Sequence, residues 1–447
     1  MQSGLFHKFR SGLSSLISLA SPYTRYLTSR QRQELIDTKL AILSCTQHKL
    51  RAEARQHRQL WYPIESVSDH LSQQSATNVD YSKEAKYYLD RAIDTLEEQR
   101  ADEYTIDELR VELQTLLQNQ TCKIFENFRS SELILDPYSI PAGGGAVGGA
   151  VGNSKKLKQR RMEEAAKLIL LREYTTLDKL YGKEYMPFRR RKRQLMHKII
   201  MCQGWDLVLD DGDDRDSASV EPLDVEILWA EKEVEQGIAD QAINLAKASL
   251  IKKDLGYSVL LLQSTIENAG KGLFLDGRAD AGSIVAFFPG QVWPREYLLD
   301  SRSYNDHFAN DENYELSMRY DGVVIDSRRS SLMPDSVNPW AVAHLANHPP
   351  PGKEYNCRPV LLNFTDSMGL DDGLKRYVPN TYAREPKLLG PKAVEGDVFM
   401  HGLVLLTTRD VVNEEVFYNY RLNPDGGEIP PWYMACDAEE NKNRWGD

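Results

Sequence analysis

Two tyrosines, Tyr418 and Tyr420, stand two residues apart in the run Val-Val-Asn-Glu-Glu-Val-Phe-Tyr-Asn-Tyr at 411–420. On an extended chain such residues point to the same face, so the pair presents two phenol rings to one surface. Asn347 and His348 set an amide beside an imidazole, and Gly270 and Gly272 flank Lys271. Glycine there lets the main chain approach a ligand closely, because no β-carbon intervenes. His344 and His348, four residues apart, raise a metal reading. A zinc protease would need Glu where Leu345 stands, and no third ligand follows, so no metal is expected. His344 reads as a packed or hydrogen-bonded side chain. Two further motifs fail on context. Gly143, Gly145 and Gly148 match a dinucleotide fingerprint in spacing, but Pro141 and further glycines occupy the places of the flanking strand and helix. The acidic run 206–216 lacks ligands at alternating positions ahead of Gly212, so it is not a calcium loop.

The elements that must position these residues differ between the two halves of the chain. Ile36, Leu40, Leu43 and Leu50 recur at helical spacing up to Trp61, with Pro63 as a stop. Tyr88, Leu89, Ala92, Ile93 and Leu96 mark a second helix. Thr105 to Glu108 has the spacing of a capping box ahead of a stripe of Leu109, Leu113, Leu116 and Leu117. These predict a helical hairpin or small bundle over 34–136. Residues 137–154 read as a Gly-rich linker. Residues 155–255 read as a helical region with basic runs, including Arg189 to Arg193 as a solvated helix face, and the acidic loop. At Gly256 the texture changes to short β-like runs broken by Gly, Pro, Asn and Asp: 257–263, 272–275, 284–288, 322–325, 360–364 and 402–407. The expected fold class is α+β, with helices first, a β-rich domain over 256–422, and a tail over 423–447.

A chain of 447 residues with 41% hydrophobic and 27% charged residues supports two or three folded domains. A net charge of −11 and pI near 5.5 argue against coating nucleic acid, and no direct nucleic-acid partner is expected. Five scattered cysteines form no Cys-x-x-Cys pair, which points to a reducing compartment. No run of 18 apolar residues occurs, so no transmembrane segment is expected. Residues 1–33 lack Asp and Glu and combine Lys8, Arg10, Arg25, Arg30 and Arg32 with an apolar stripe. That composition leads to an expected mitochondrial location, with nucleus or cytoplasm as the alternative.

The run 411–420 resembles the closing motif of the SET domain, the fold of S-adenosylmethionine-dependent protein lysine methyltransferases. Ala269 to Phe274 is similar to that domain's opening Gly-x-Gly turn, and Asn338 to His348 resembles its Asn-His segment, with Asn356 as the later Asn. The runs at 256–259, 269–272, 320–326, 338–342, 375–380 and 410–420 are similar to those of the SET domain-containing protein 9 group. The resemblance covers 256–422 and implies small sheets around a pseudo-knotted cofactor site. It implies that S-adenosylmethionine is held by Gly270, Lys271, Gly272, Asn347 and His348. It also implies that Tyr420 is the catalytic tyrosine and Tyr418 shapes a lysine pocket, with monomethylation favoured over trimethylation. The implied partner is a protein with an accessible lysine, and the helical N-terminal half is a candidate docking region. The sequence departs from the pattern at Pro349-Pro350-Pro351, where Ser-Cys is usual, and at Gln291, where an acid is usual. A SET fold kept as a non-catalytic scaffold or interaction protein in an organellar assembly, and methylation of a small molecule or a non-lysine nitrogen, therefore stay open as alternatives. Trp432 and Tyr433 in the tail are expected to fold back as an apolar lid.

Overall fold

The computed structural model describes residues 27–61, 81–98, 104–136, 151–179, 186–202, 231–298, 316–328, 337–384, 397–423 and 429–445. Most of the basic N-terminal segment, nearly all of the Gly-rich linker and the acidic run 206–216 lie outside these. The fold is mixed α and β, with long helices and small, mainly antiparallel sheets. Two compact units divide the chain: residues 1–126 with 264–447, and residues 127–263. The change of texture at Gly256 thus falls inside the second unit, and the first helices share a unit with most of the strands. Local composition registers the start of strands, whereas unit boundaries are drawn by contacts between residues far apart in sequence.

In the first unit, helices α1 (Ser29–Trp61), α2 (Tyr81–Glu98) and the part of α3 (Ile106–Leu135) up to Glu126 accompany strands β2 to β10. The capping box forms at the start of α3: the Thr105 N–H donates to Glu108 Oε2 at 2.7 Å, and the Glu108 N–H donates to Thr105 Oγ1. Strand β9 (Val398–Thr407) lies between β3 (Ile284–Phe287) and β7 (Cys357–Thr365), antiparallel to both. As a central strand covered on both faces, it is continuously apolar and buried over residues 403–406 rather than alternating. A second sheet orders β5 (Leu316–Met318), β6 (Val324–Asp326), β4 (Gly290–Trp293) and β8 (Asn380–Tyr382). Strand β2 (Lys271–Ala279) pairs with the two-residue β10 (Val411–Val412). Short helices α7 (Arg295–Leu298) and α8 (Asp372–Lys375) join strands, and α9 (Ala438–Trp445) closes the chain.

Helices α1 and α3 are tied to the strands by polar as well as apolar contacts. Phe125 of α3 packs among Phe287, Phe364 and Tyr377 with ring centroids 5.5–6.2 Å apart. Gln114 donates to the Leu361 carbonyl and accepts from the Asn363 N–H, and Gln118 donates to the Asn363 carbonyl, all at 2.7–2.8 Å. These side chains satisfy the open edge of β7, whose main-chain groups would otherwise lack partners in the sheet. On α1, the fully buried Arg51 pairs with Asp280 at 3.0 Å and Asp410 at 2.7 Å. Gly282, at φ +82°, sits so close to α1 that a β-carbon would lie 1.9 Å from the Ser44 carbonyl oxygen.

The second unit holds the rest of α3, helices α4 (Val151–Lys179), α5 (Met186–Cys202) and α6 (Glu231–Leu255), and strand β1 (Tyr257–Gln263). The basic run at 189–193 is not a purely solvated face. Lys192 is buried and ion-paired with Glu173, and Arg193 lies over the Tyr174 ring. No described helix is long and apolar enough to cross a membrane.

Candidate functional site

The segment that follows β10 runs beside two others. Phe417 bridges to Asn347 and Tyr418 to Cys357, both in parallel sense. The fully buried Asn356 fastens this crossing: its Nδ2 donates to the Glu415 carbonyl and its Oδ1 accepts from the Phe417 N–H, each at 2.8 Å. Asn347, His348, Tyr418 and Tyr420 therefore meet although about 70 residues separate the two pairs.

His348 is held at both ring nitrogens. Nδ1 accepts from the Tyr420 N–H at 3.3 Å, and Nε2 faces the Met434 carbonyl at 2.8 Å. This pattern requires a neutral ring with its proton on Nε2. Burial holds the imidazole below its usual pKa, in keeping with that form. With both nitrogens engaged, the ring offers no lone pair to a metal. His344, in the 3-10 turn Ala343–Leu345, is pushed by burial down to about 4.

The Tyr420 hydroxyl donates to the Ala346 carbonyl at 3.0 Å, one residue before Asn347. Its ring lies 4.8 Å from that of Tyr418 and 5.4 Å from that of His348. Tyr418 is buried, meets Phe288 edge-on, and has its phenol pKa pushed well up by burial and by Tyr420. From the tail, the Tyr433 ring sits 4.6 Å from His348, while the exposed Trp432 meets Tyr420 edge-on at 6.2 Å.

Gly270 and Gly272 serve different needs. Gly270 has φ +69° with open space where a β-carbon would be, so conformation alone asks for glycine. At Gly272 a β-carbon would lie 2.1 Å from Glu415 Oε1 and 3.1 Å from Asn347 Nδ2. Gly272→Ala is expected to cost about 1–3 kcal/mol, since buried overpacking shifts hydrogen-bonded neighbours. Chemical denaturation checks it, with Gly270→Ala as the comparison that meets no neighbour. The Lys271 carbonyl accepts from Asn347 Nδ2 at 3.2 Å.

The sequence alone does not single out Glu415. It is buried and accepts from Ser264 Oγ and the Thr265 N–H at 2.7 Å, from Thr265 Oγ1, and from Asn347 Nδ2 at 3.2 Å. It thereby sets the orientation of the Asn347 amide. The departures from the resemblance also have defined places. The three prolines lead into a turn in which the Lys353 N–H donates to the Pro350 carbonyl, with Gly352 at φ +82°. Gln291 sits on β4, opposite Asp326 and Thr381. A cavity of about 710 Å³ is lined by α1, residues 349–355 of this loop, Arg358, residues 434–437 and α9. Neither Asn347 nor the two tyrosines line it.

No family model matches the chain, and no curated protein matches it. Among solved structures it is similar to ctPRC2 in an autoinhibited conformation bound to S-adenosylmethionine, at 16% identity and a TM-score of 0.21. That match covers 38% of this chain and 16% of the other, so the chain spans about a sixth of that structure's length. A likeness at this level assigns neither the fold family nor the activity.

Proposed function

We propose that the protein is a SET-fold, S-adenosylmethionine-dependent methyltransferase acting on a lysine ε-amine of a protein. The observation that carries the reading is the meeting of the phenol with the Asn-His corner: the Tyr420 hydroxyl is on the Ala346 carbonyl and its N–H on His348. The residues suit the cofactor in two respects. Gly270 leaves its main chain open on one side, and among the described residues the Asn347 side chain makes its hydrogen bonds through Nδ2. Its Oδ1 is thus an acceptor for an ammonium group.

In this reading Asn347, His348 and the main chain of Gly270, Lys271 and Gly272 hold the cofactor, which supplies an electrophilic methyl group. Tyr420 lies beside the reacting atoms, and Tyr418 narrows the lysine channel. The target amine, with a free pKa of about 10.4, must lose its proton before it attacks. A dry aromatic channel favours that loss and aligns amine and methyl. The resemblance to the SET domain-containing protein 9 group and a mitochondrial location belong to the same proposal. Helix α1 begins at Ser29, however, and Arg30 donates to the Tyr320 carbonyl, so the end of the basic segment is part of the fold.

A second reading, a non-catalytic scaffold, is favoured by the cavity of about 710 Å³, which neither Asn347 nor Tyr418 nor Tyr420 lines. Calorimetry with S-adenosylmethionine separates the two, since a scaffold gives no binding heat. With binding established, Tyr420→Phe is expected to lower kcat on a responsive peptide about 10- to 100-fold while leaving cofactor affinity within threefold. Equal turnover by the variant removes Tyr420 from the chemistry.

A further inference from the structure

Arg421, the residue after Tyr420, has φ +53°, a left-handed conformation that a residue with a long side chain seldom adopts unless its surroundings impose it. The constraints come from both ends of the chain. The buried guanidinium pairs with Asp37 of α1 at 3.0 Å and with Glu440 of α9. The Arg421 N–H donates to Asn419 Oδ1 at 3.0 Å, and its carbonyl accepts from Trp445 Nε1 at 2.8 Å. The next residue is held similarly, with the Leu422 N–H on the Tyr433 hydroxyl at 3.2 Å.

Asp37 is itself fixed. The Tyr320 hydroxyl donates to its Oδ2 at 2.6 Å, and Arg358 reaches its main-chain carbonyl. Burial pushes its carboxyl up, but Arg421, Arg358 and the Tyr320 hydrogen bond outweigh that and hold it below the usual range. One cation thus sits between two carboxylates from elements outside 256–422, the run that resembles a SET domain. If Arg421 returned to an ordinary φ, the chain direction at Tyr420 would change. The contacts exposed to that change are the Tyr420 N–H on His348 and the Tyr420 hydroxyl on the Ala346 carbonyl.

We infer that Arg421 is a positioning residue for Tyr420, clamped by Asp37 of the N-terminal helix and Glu440 of the C-terminal helix. The N-terminal helix is then a working part of the site rather than only a docking arm. The inference rests on the methyltransferase reading for its consequence in turnover, but not for the clamp itself.

The test uses the full chain and the variants Asp37→Asn and Asp37→Glu, with Leu117→Ala in the core of α3 as a control for general destabilisation. Hydrogen exchange of the Tyr420 amide, relative to amides of β9, is the readout independent of activity. Asp37→Asn is expected to speed it at least tenfold, Asp37→Glu to restore part of the protection, and Leu117→Ala to leave the ratio unchanged. With a responsive peptide, Asp37→Asn is expected to lower kcat about tenfold, with KM for S-adenosylmethionine within twofold. An unchanged Tyr420 exchange ratio in Asp37→Asn, or the same rise in Leu117→Ala, overturns the clamp whatever the activity. A wild-type chain without methyl transfer, but with the expected exchange pattern, removes the enzyme reading and leaves the clamp standing.

Discussion

Replacing Glu415 with alanine is expected to lower the unfolding free energy by about 3–5 kcal/mol, on the scale of removing one partner from a buried charged network. The carboxylate is 1% exposed and receives hydrogen bonds from Ser264 Oγ, the Thr265 N–H, Thr265 Oγ1 and Asn347 Nδ2. Alanine leaves these donors facing an apolar gap. Each hydrogen bond to a charged group contributes about 1.5–3 kcal/mol, and a stranded buried donor costs about 1–3 kcal/mol. The total is less than the sum, because local rearrangement or water recovers part of it. Glutamine keeps the shape but turns an NH₂ group toward donors, so Glu415→Gln should fall between wild type and alanine. Guanidinium unfolding followed by tryptophan fluorescence measures the series. A Glu415→Ala chain within 1 kcal/mol of wild type would show that the network has no energetic weight. In the proposed function the same change frees the Asn347 amide, so cofactor affinity should fall as well.

The contrast between Tyr418 and Glu415 shows what the sequence could and could not disclose. Alternation along an extended segment places two tyrosines on one face without knowledge of any partner, and 257–263 is legible as a strand, matching β1. Local chemistry likewise suffices for the Thr105–Glu108 box. Glu415 owes its role to Ser264, Thr265 and Asn347, the last 68 residues away, and Arg51 meets Asp410 across 359 positions. Nothing in a helical or extended period encodes such distances. Gln114 and Gln118 show the same limit: on a helix they look like solvent-facing polar positions, yet they satisfy the edge of β7. Asp37 and Arg421 each read as an ordinary surface charge until α1 and the end of the site are brought together. The meeting of Asn347-His348 with Tyr418 and Tyr420 came from the resemblance rather than from composition, periodicity or spacing.

Acidification from pH 7.5 to 5 is expected to cost the folded state about 2–4 kcal/mol, chiefly through His48 and His344, with the lowered His348 acting in the same direction. His48 of α1 meets Ser283 Oγ at 3.1 Å, and burial, with Arg55, Lys123 and Arg51 nearby, lowers its pKa to about 4. Burial brings His344 to about 4 as well. In the unfolded chain both titrate near the ordinary value of about 6.5. Between these values the unfolded state binds more protons than the folded one, so stability rises with pH there and falls as the solution is acidified. The contribution is intact above about pH 6.5 and is lost progressively toward pH 4. At pH 5 the difference from the ordinary value amounts to at most about 2 kcal/mol per histidine, and less where solvent reaches the ring. The lowered carboxyls of Asp37 and Asp321 act in a lower window, below their ordinary value of 3.8, and do not obscure this one. Denaturation curves at pH 7.5, 6.5, 5.5 and 5 measure the loss, and His48→Gln assigns it. That variant keeps a polar group near Ser283 but cannot gain a proton, so its loss over the same range should be smaller by about 1–2 kcal/mol. A flat stability profile from pH 7.5 to 5 in the wild type would mean that both rings take up protons freely in the folded chain, contrary to their half-buried settings.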